Sequence, residues 1–187
     1  MLGGVNQTAL TAWLARPADQ VAPELLGATL TVAGPHNTRS VRIVETEAYV
    51  GEDDAACHAA RGRTPRTQVM YEPAGVTYVY LVYGIHHLFN VVVSGKGNPH
   101  AVLVRAVEPL GFTARTHGPG LWTKALGVTV NDGGQPLAGG RFTLQPPARP
   151  ATDVWVGPRI GVDYAGSWAD APLRFGLAGS DRLSKPF

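Results

Sequence analysis

Apolar positions along the chain recur mainly at a spacing of two, in short runs separated by turn residues. "VRIVETEAY" (41–49) alternates apolar and polar positions and predicts a strand. "VTYVYLVYG" and "LFNVVVS" are rich in β-branched and aromatic residues and lie only a few residues apart. They predict a β-hairpin with Tyr83 to His87 near its tip. "HAVLVRAVEP" predicts a buried strand stopped by Pro109, and Ala28 to Ala33 a further strand. Helical spacing is seen in "NQTALTAWLARP", which ends at a proline, and a second short helix is expected in "VAPELLGATL". "GPGLWTKALGV" opens on Gly and Pro and closes at Gly127, the punctuation of a third helix. "GEDDAACHAA" sets acidic residues before small ones, as a first helical turn does, and "RGRTPR" is expected as an exposed loop. Residues 131–150 are turn-rich and expected at the periphery, and "RIGVDYAGSWADAPLRF" holds short strand-like pieces. No repeat or linker is evident. These elements predict an α+β fold: a single domain over residues 1–187, with a curved mixed or antiparallel sheet, a protruding hairpin and short surrounding helices.

Composition narrows this picture without overturning it. A chain of 187 residues can bury one good core, and 44% apolar with 16% charged residues excludes wholesale disorder. Twenty-three glycines and fifteen prolines fit many turns better than a helical bundle. The net charge of +2 is compatible with a polyanionic partner but does not require one. Cys57 is the sole cysteine, which excludes an intramolecular disulfide and a multi-cysteine zinc cage. The N-terminal stretch lacks a basic segment ahead of an apolar run, and no run of about 18 apolar residues occurs. A soluble cytoplasmic protein is the expectation.

The candidate chemistry lies in two segments. On a strand, Glu45, Glu47 and Tyr49 share one face, with Val44, Thr46 and Ala48 on the other. Two same-face carboxylates mark either a solvated edge strand or a buried general base beside an aromatic ring. Tyr78 and Tyr80 also share a face, the usual pattern of core aromatics, whereas Tyr83 before Gly84 at a hairpin tip is badly placed for a core. An exposed aromatic there can act as a wedge that unstacks a duplex. Cys57 with His58, and His86 with His87, lack the spacing of metal ligands, so no metal is expected. Arg61, Arg63 and Arg66 read as a solvated loop, or as phosphate contacts if DNA lies against it.

Taken in order and spacing, "VETEAY", the histidine nine residues after that tyrosine, "RTPR", "YVYLVYG", Asn90 seven residues after Tyr83, and "VLVRAVEP" resemble the alkyladenine (3-methyladenine) DNA glycosylase family. "GPGLWTKALG" and "RIGVDYAGSWADAPLRF" extend the resemblance from about Gln7 to the end of the chain. It implies an enzyme that extrudes a damaged purine from duplex DNA and hydrolyses its N-glycosidic bond. By resemblance, Glu47 is the general base that activates water, Arg105 positions that water, and the Ile160 backbone carbonyl completes its cage. Tyr49, His58 and Tyr80 sandwich the base, and the His58 amide reaches its edge. Asn90 at the pocket floor crowds a 2-amino group, and Tyr83 with Ile85 enters the minor groove. "IHH" after Gly84 and Cys57 fall where such proteins vary; Cys57 reads as a packing residue.

The resemblance implies no cofactor, because water is the nucleophile and nothing is oxidised. It implies double-stranded DNA carrying damaged purines as partner, no membrane association, and in the simplest case a monomer. It leaves open the preference among 3-methyladenine, 7-methylguanine, hypoxanthine and ethenoadenine. Two rivals stand beside it: an O-glycoside hydrolase using Glu45 and Glu47 as acid and base, and a non-catalytic nucleic-acid-binding module with aromatic stacking platforms.

Overall fold

The structure, a computed structural model, describes residues 6–187. Its first helix, α1 (Gln7–Leu14), is capped by Asn6, whose side chain accepts from the N–H groups of Thr8 and Ala9 at 3.0 and 3.2 Å. Helix α2 (Ala18–Glu24) follows Pro17 directly, so it begins three residues before the expected "VAPELLGATL" and ends within it, ahead of the expected strand. A third helix, α3 (Pro119–Ala125), is the one announced by its Gly-Pro start. Strands β1 (Thr29–Ala33), β2 (Thr38–Tyr49), β3 (Thr77–Val82), β4 (His86–Val93) and β5 (His100–Leu110) are followed by β6 (Ala138–Gly139), β7 (Phe142–Gln145), β8 (Val154–Gly157) and β9 (Arg174–Leu177).

All nine strands join one sheet, ordered β3-β4-β5-β2-β1-β7-β6, with β9 branching from β2 and β8 pairing β9. Every pairing among the described strands is antiparallel, which resolves the choice between a mixed and an antiparallel sheet. The sheet is curled, with α1, α2 and α3 packed around it, so an α+β fold dominated by its sheet is what forms. Phe89, Trp122 and Phe142 are fully buried at the heart of the core, and the Trp122 indole N–H donates to the Val104 carbonyl at 3.0 Å.

The centre of the sheet is the pair β2–β5, and its register sets up everything that follows. Ile43 pairs with Val107, Glu45 with Ala106, and Thr46 with Val104, so Val44 and Arg105 each stand unpaired at a double irregularity. An unpaired residue in a ladder shifts the alternation by one. Val41 and Ile43 face the core, and past the irregularity the core-facing positions become Thr46 and Ala48. Thr46 donates its hydroxyl to the Ala22 carbonyl of α2 at 2.8 Å. On β5, Val107 faces the core on one side of the break and Val104 and Val102 on the other. Glu45, Glu47, Tyr49, Leu103 and Arg105 are thereby turned together onto the opposite face.

Four expectations are corrected. "GEDDAACHAA" forms no α-helix: turns lead into a 3-10 segment, His58–Arg61, because the acidic Asp54 is drawn inward to an arginine instead of capping a helix. Residues 131–150 are not peripheral, since Leu137, Phe142 and Leu144 are fully buried and β7 pairs with β1. The turn residues there join very short strands whose apolar positions are few but all inward. Pro109 does not stop β5, which continues to Leu110; a proline near a strand end costs the ladder at most one donor. The second hairpin strand, β4, begins at His86, two residues before the expected "LFNVVVS", so His86 and His87 next to the tip are already paired in the ladder. Among the described residues no helix is long and apolar enough to cross a membrane.

Candidate active site

A cavity of about 320 Å³ opens on the face to which the double irregularity turns Leu103 and Arg105. Its walls carry Tyr49 from β2, His58 from the 3-10 segment, Tyr80 from β3, Asn90 from β4, Arg105 from β5 and Ile160 from the loop after β8. Six residues singled out from the sequence thus meet in one hollow.

Glu47 lies immediately behind that wall. Its side chain is fully buried and is not itself part of the lining. One carboxylate oxygen, Oε2, accepts from the Tyr49 hydroxyl at 2.8 Å; the other, Oε1, accepts from the Ile160 N–H at 2.8 Å and faces Arg105 Nη1 at 3.2 Å. The three groups that hold the carboxylate are all cavity residues, so Glu47 is framed by the wall nearest to it. Burial, and then the adjacent Glu47 carboxylate, hold the Tyr49 phenol well above its ordinary range and keep it a donor. The observed backbone contact of Ile160 is made by its N–H to Glu47.

Glu45 shares the face but not the cavity. It is fully buried, absent from the lining, and surrounded by donors: the Ser184 N–H and hydroxyl at 2.5 and 2.9 Å, with Arg105 Nε and Arg174 Nη1 each at 3.5 Å. A carboxylate sealed in this way is poorly placed to serve as the acid partner in a sugar hydrolase.

The aromatic residues form a layered wall. His58 and Tyr80 meet edge to face with centroids 4.5 Å apart, and Tyr78 stands 5.5 Å from Tyr80. His58 Nδ1 shares a 2.8 Å hydrogen bond with the Tyr78 hydroxyl, which gives Tyr78 a polar task that its core-like spacing hid. Burial, then the positive Arg66 and Arg61, push the His58 imidazole down to about 4, so the ring is neutral near pH 7. One face of Tyr49 is covered by the Arg159 guanidinium, 4.8 Å from the ring centroid. The Asn90 amide donates to the Tyr78 and Leu88 carbonyls at 3.0 and 3.4 Å, which fixes the side chain at the base of the hairpin.

At the other end of the hairpin, Val82 to Ile85 form a tight turn closed by the Ile85 N–H on the Val82 carbonyl at 3.2 Å. Tyr83 and Gly84 both have positive φ, 52° and 71°, the signature of a type I′ turn. Tyr83 is 90% exposed and Ile85 71% exposed, and Tyr83 also touches the cavity mouth. The hairpin is braced by α3: the Thr123 hydroxyl donates to the His87 carbonyl at 2.7 Å, and a Cβ on Gly120 would lie 2.6 Å from the His86 ring. A side chain at position 120 would push the His86 ring aside.

The basic residues separate into two groups. Arg66 covers Tyr80 at 5.3 Å and, with Arg61 and Thr64, lines a second hollow on the far side of His58. Arg63 turns away, over Tyr71 at 5.4 Å and 3.9 Å from Glu72. Cys57 is buried against Met70, Tyr71 and Tyr78, and burial raises its thiol to about 11, which makes it an inert packing residue. No three His, Cys, Asp or Glu side chains cluster as metal ligands among the described residues.

Sequence patterns gave no warning of a buried pair behind the site. Arg159 forks onto Asp54 with Nη1–Oδ2 at 2.5 Å and Nη2–Oδ1 at 2.9 Å, both side chains fully buried. It also donates to the Ala48 carbonyl at 2.9 Å, and Asp54 accepts from the N–H groups of Val50 and Ala56. The pair spans 105 residues of sequence and ties Tyr49, Ile160 and the His58 segment to one another.

Comparison with known proteins points the same way. The family model described as methylpurine-DNA glycosylase matches residues 12–181. A protein of Myxococcus xanthus (strain DK1622), carrying the provisional name 3-methyladenine DNA glycosylase, is 55% identical over 91% of this chain and 90% of its own. Proteins with the same provisional name are similar in Anaeromyxobacter dehalogenans (strain 2CP-1 / ATCC BAA-258), 46% identical over 94% of this chain and 84% of its own, and in Legionella pneumophila (strain Lens), 45% over 88% and 91%.

Proposed function

Since the chain belongs to the methylpurine-DNA glycosylase family, and so acts on DNA as a glycosylase of DNA repair, we propose that it excises alkylated or deaminated purines from duplex DNA with a water activated by Glu47. The observation that carries this reading is the buried Glu47 carboxylate framed by Tyr49, Ile160 and Arg105 at the wall of an aromatic cavity.

A purine in a stacked duplex is out of reach of any such group, so the nucleotide must leave the stack. Tyr83 and Ile85, both exposed on the turn whose Tyr83 touches the cavity, are suited to fill the gap. The extruded base enters between Tyr49 on one side and His58 and Tyr80 on the other. A methylated, cationic purine gains from the π faces of the tyrosines, and a neutral His58 adds no repelling charge. Asn90, held by two carbonyls, gives the floor a fixed shape against which purines with extra substituents are sorted.

Hydrolysis then needs a water near C1′ on the side of Glu47. The water oxygen forms a bond to C1′ as the C1′–N bond breaks, and the bonding pair departs with the base. The water gives its proton to Glu47, whose negative charge also stabilises the oxocarbenium character of the sugar. Arg105 and the Ile160 carbonyl orient the water. Among the described residues no lysine lines the cavity, and with water as the nucleophile the proposed reaction passes through no Schiff base and leaves an intact strand with an abasic site. Borohydride trapping accordingly yields no adduct.

The test is base release from duplex oligonucleotides holding one lesion each, with wild-type and Glu47→Gln protein. Wild type releases at least one of 3-methyladenine, 7-methylguanine, hypoxanthine and ethenoadenine; the amide variant binds the lesion duplex but releases base at least about a hundredfold more slowly, the scale of one general base. Release surviving in Glu47→Gln sinks the mechanism.

A further inference from the structure

Arg105 is held from behind by a segment remote in sequence. Its Nη1 faces Glu47 at 3.2 Å, and its Nε donates to the Ser184 hydroxyl at 3.2 Å beside Glu45 at 3.5 Å. Ser184 in turn donates its hydroxyl and its N–H to the two oxygens of Glu45. Nη2 of Arg105 has no protein partner among the described residues, and Arg105 lines the cavity. A guanidinium is planar and rigid, so fixing Nε and Nη1 fixes the direction of Nη2. The segment carrying Ser184 is itself latched. Arg174 donates to the Pro186 carbonyl at 2.7 Å and lies 3.8 Å from the Phe187 ring, which rests so close on Gly176 that a Cβ there would meet it at 2.5 Å.

We propose that Ser184 is a positioning residue for the reaction: its hydroxyl, relayed between Glu45 and Arg105 Nε, aims Arg105 Nη2 into the cavity toward the attacking water. Glu45 has a task in this arrangement without touching substrate. It takes up the Nε side of the guanidinium, which keeps Nε turned from Glu47 and leaves Nη1 as the nearest approach to that carboxylate. Glu47 keeps charge available for the sugar, and Nη2 stays free. The inference rests on the glycosylase reading above.

The experiment measures single-turnover base release at saturating lesion duplex, together with affinity for the duplex and thermal melting, for wild type, Glu47→Gln, Ser184→Ala, Ser184→Thr and Ser184→Val. Removing the hydroxyl in Ser184→Ala lowers the release rate on the order of tenfold, the scale of a misaimed group, while affinity stays within about twofold, since no contact to DNA is lost. Ser184→Thr restores the rate and Ser184→Val, of matching volume, does not. The Thr–Val comparison stands even where the alanine variant folds poorly. Equal rates in the Thr and Val variants, or a wild-type rate in Ser184→Ala, overturn the role given to Ser184 while leaving Glu47 in place. Absence of release by wild type removes the functional reading itself, and this inference with it.

Discussion

Replacing Tyr83 with asparagine should make the protein more stable and less active. Tyr83 occupies the first central position of a type I′ turn at φ 52°, and it is a bulky residue where Asn or Gly is favoured. A non-glycine residue in this left-handed region costs about 1–2 kcal/mol, and asparagine recovers part of it through local hydrogen bonding. The ring is 90% exposed, so little packing is lost in exchange. The net gain is about 0.5–1 kcal/mol, which for a domain of this size raises the melting temperature by roughly 1–4 °C. Base release should move the other way. With the proposed wedge gone, extrusion loses the group that fills the vacated stack, and the cost of unstacking and unpairing is a few kcal/mol. Release from a well-paired lesion duplex falls on the order of tenfold or more, and from a mismatched lesion much less. Thermal denaturation and single-turnover release on the two duplexes read the two effects separately. Tyr83→Ala is the control: alanine keeps the backbone strain, so the rate falls without a gain in stability. The reasoning is refuted if Tyr83→Asn melts below wild type, or if its release is lowered equally on paired and mismatched lesions.

Two further outcomes are expected. His58 titrates at about 4 in the fold against 6.5 for the free side chain, so the unfolded chain takes up its proton first as pH falls. Its contribution is intact above about pH 6.5, is lost progressively down to about pH 4, and amounts to on the order of 2 kcal/mol once solvent at its exposed edge is allowed for. His58→Gln therefore shows a shallower decline in urea-unfolding free energy than wild type across that window, and parallel declines would contradict it. Asp54→Ala leaves the Arg159 guanidinium buried without a counter-charge and should cost about 3–5 kcal/mol; pairing it with Arg159→Leu recovers part of the loss in the same unfolding assay, and strict additivity of the two would argue against a coupled pair.

Much of the sheet was legible because period-two patterns are local. The hairpin, β2, β5 and α3 each announce themselves within about ten residues, as does the exposed Tyr83-Gly84 tip. What the sequence hid depends on distant partners. Asp54 reads as a helix-opening acid because nothing near it reveals Arg159, and Tyr78 reads as core because its hydroxyl partner His58 lies 20 residues away. Leu137, Phe142 and Leu144 sit among glycines and prolines that mark loops, yet all three are fully buried, Phe142 and Leu144 from the four-residue strand β7 and Leu137 from the residue just before the two-residue β6. Of the residues expected at the site, Tyr49, His58, Tyr80, Asn90, Arg105 and Ile160 converge on the cavity, Glu47 lies directly behind it, and Arg63 turns elsewhere.

The fates of Glu45 and Glu47 show what local pattern alone cannot decide. Both lie on one strand, two residues apart, on one face, and both are fully buried. A signal was present in the doublet Ile43–Val44, which breaks the alternation just where β2 and β5 change faces. Without that break, Glu47 would share the face of Val41 and Ile43 and be driven into a hydrophobic core, where an ion costs several kcal/mol or more. With it, both carboxylates reach the polar side, and their neighbours then distinguish them. Glu47 is framed by three cavity residues, whereas Glu45 is closed over by Ser184 and Arg174 from the far end of the chain. Arg105, unpaired at the same break on the partner strand, reaches both acids from between them. One slip of register therefore creates both the buried acid nearest the cavity and the arginine beside it, and neither could be moved to the correct face by a side-chain substitution alone.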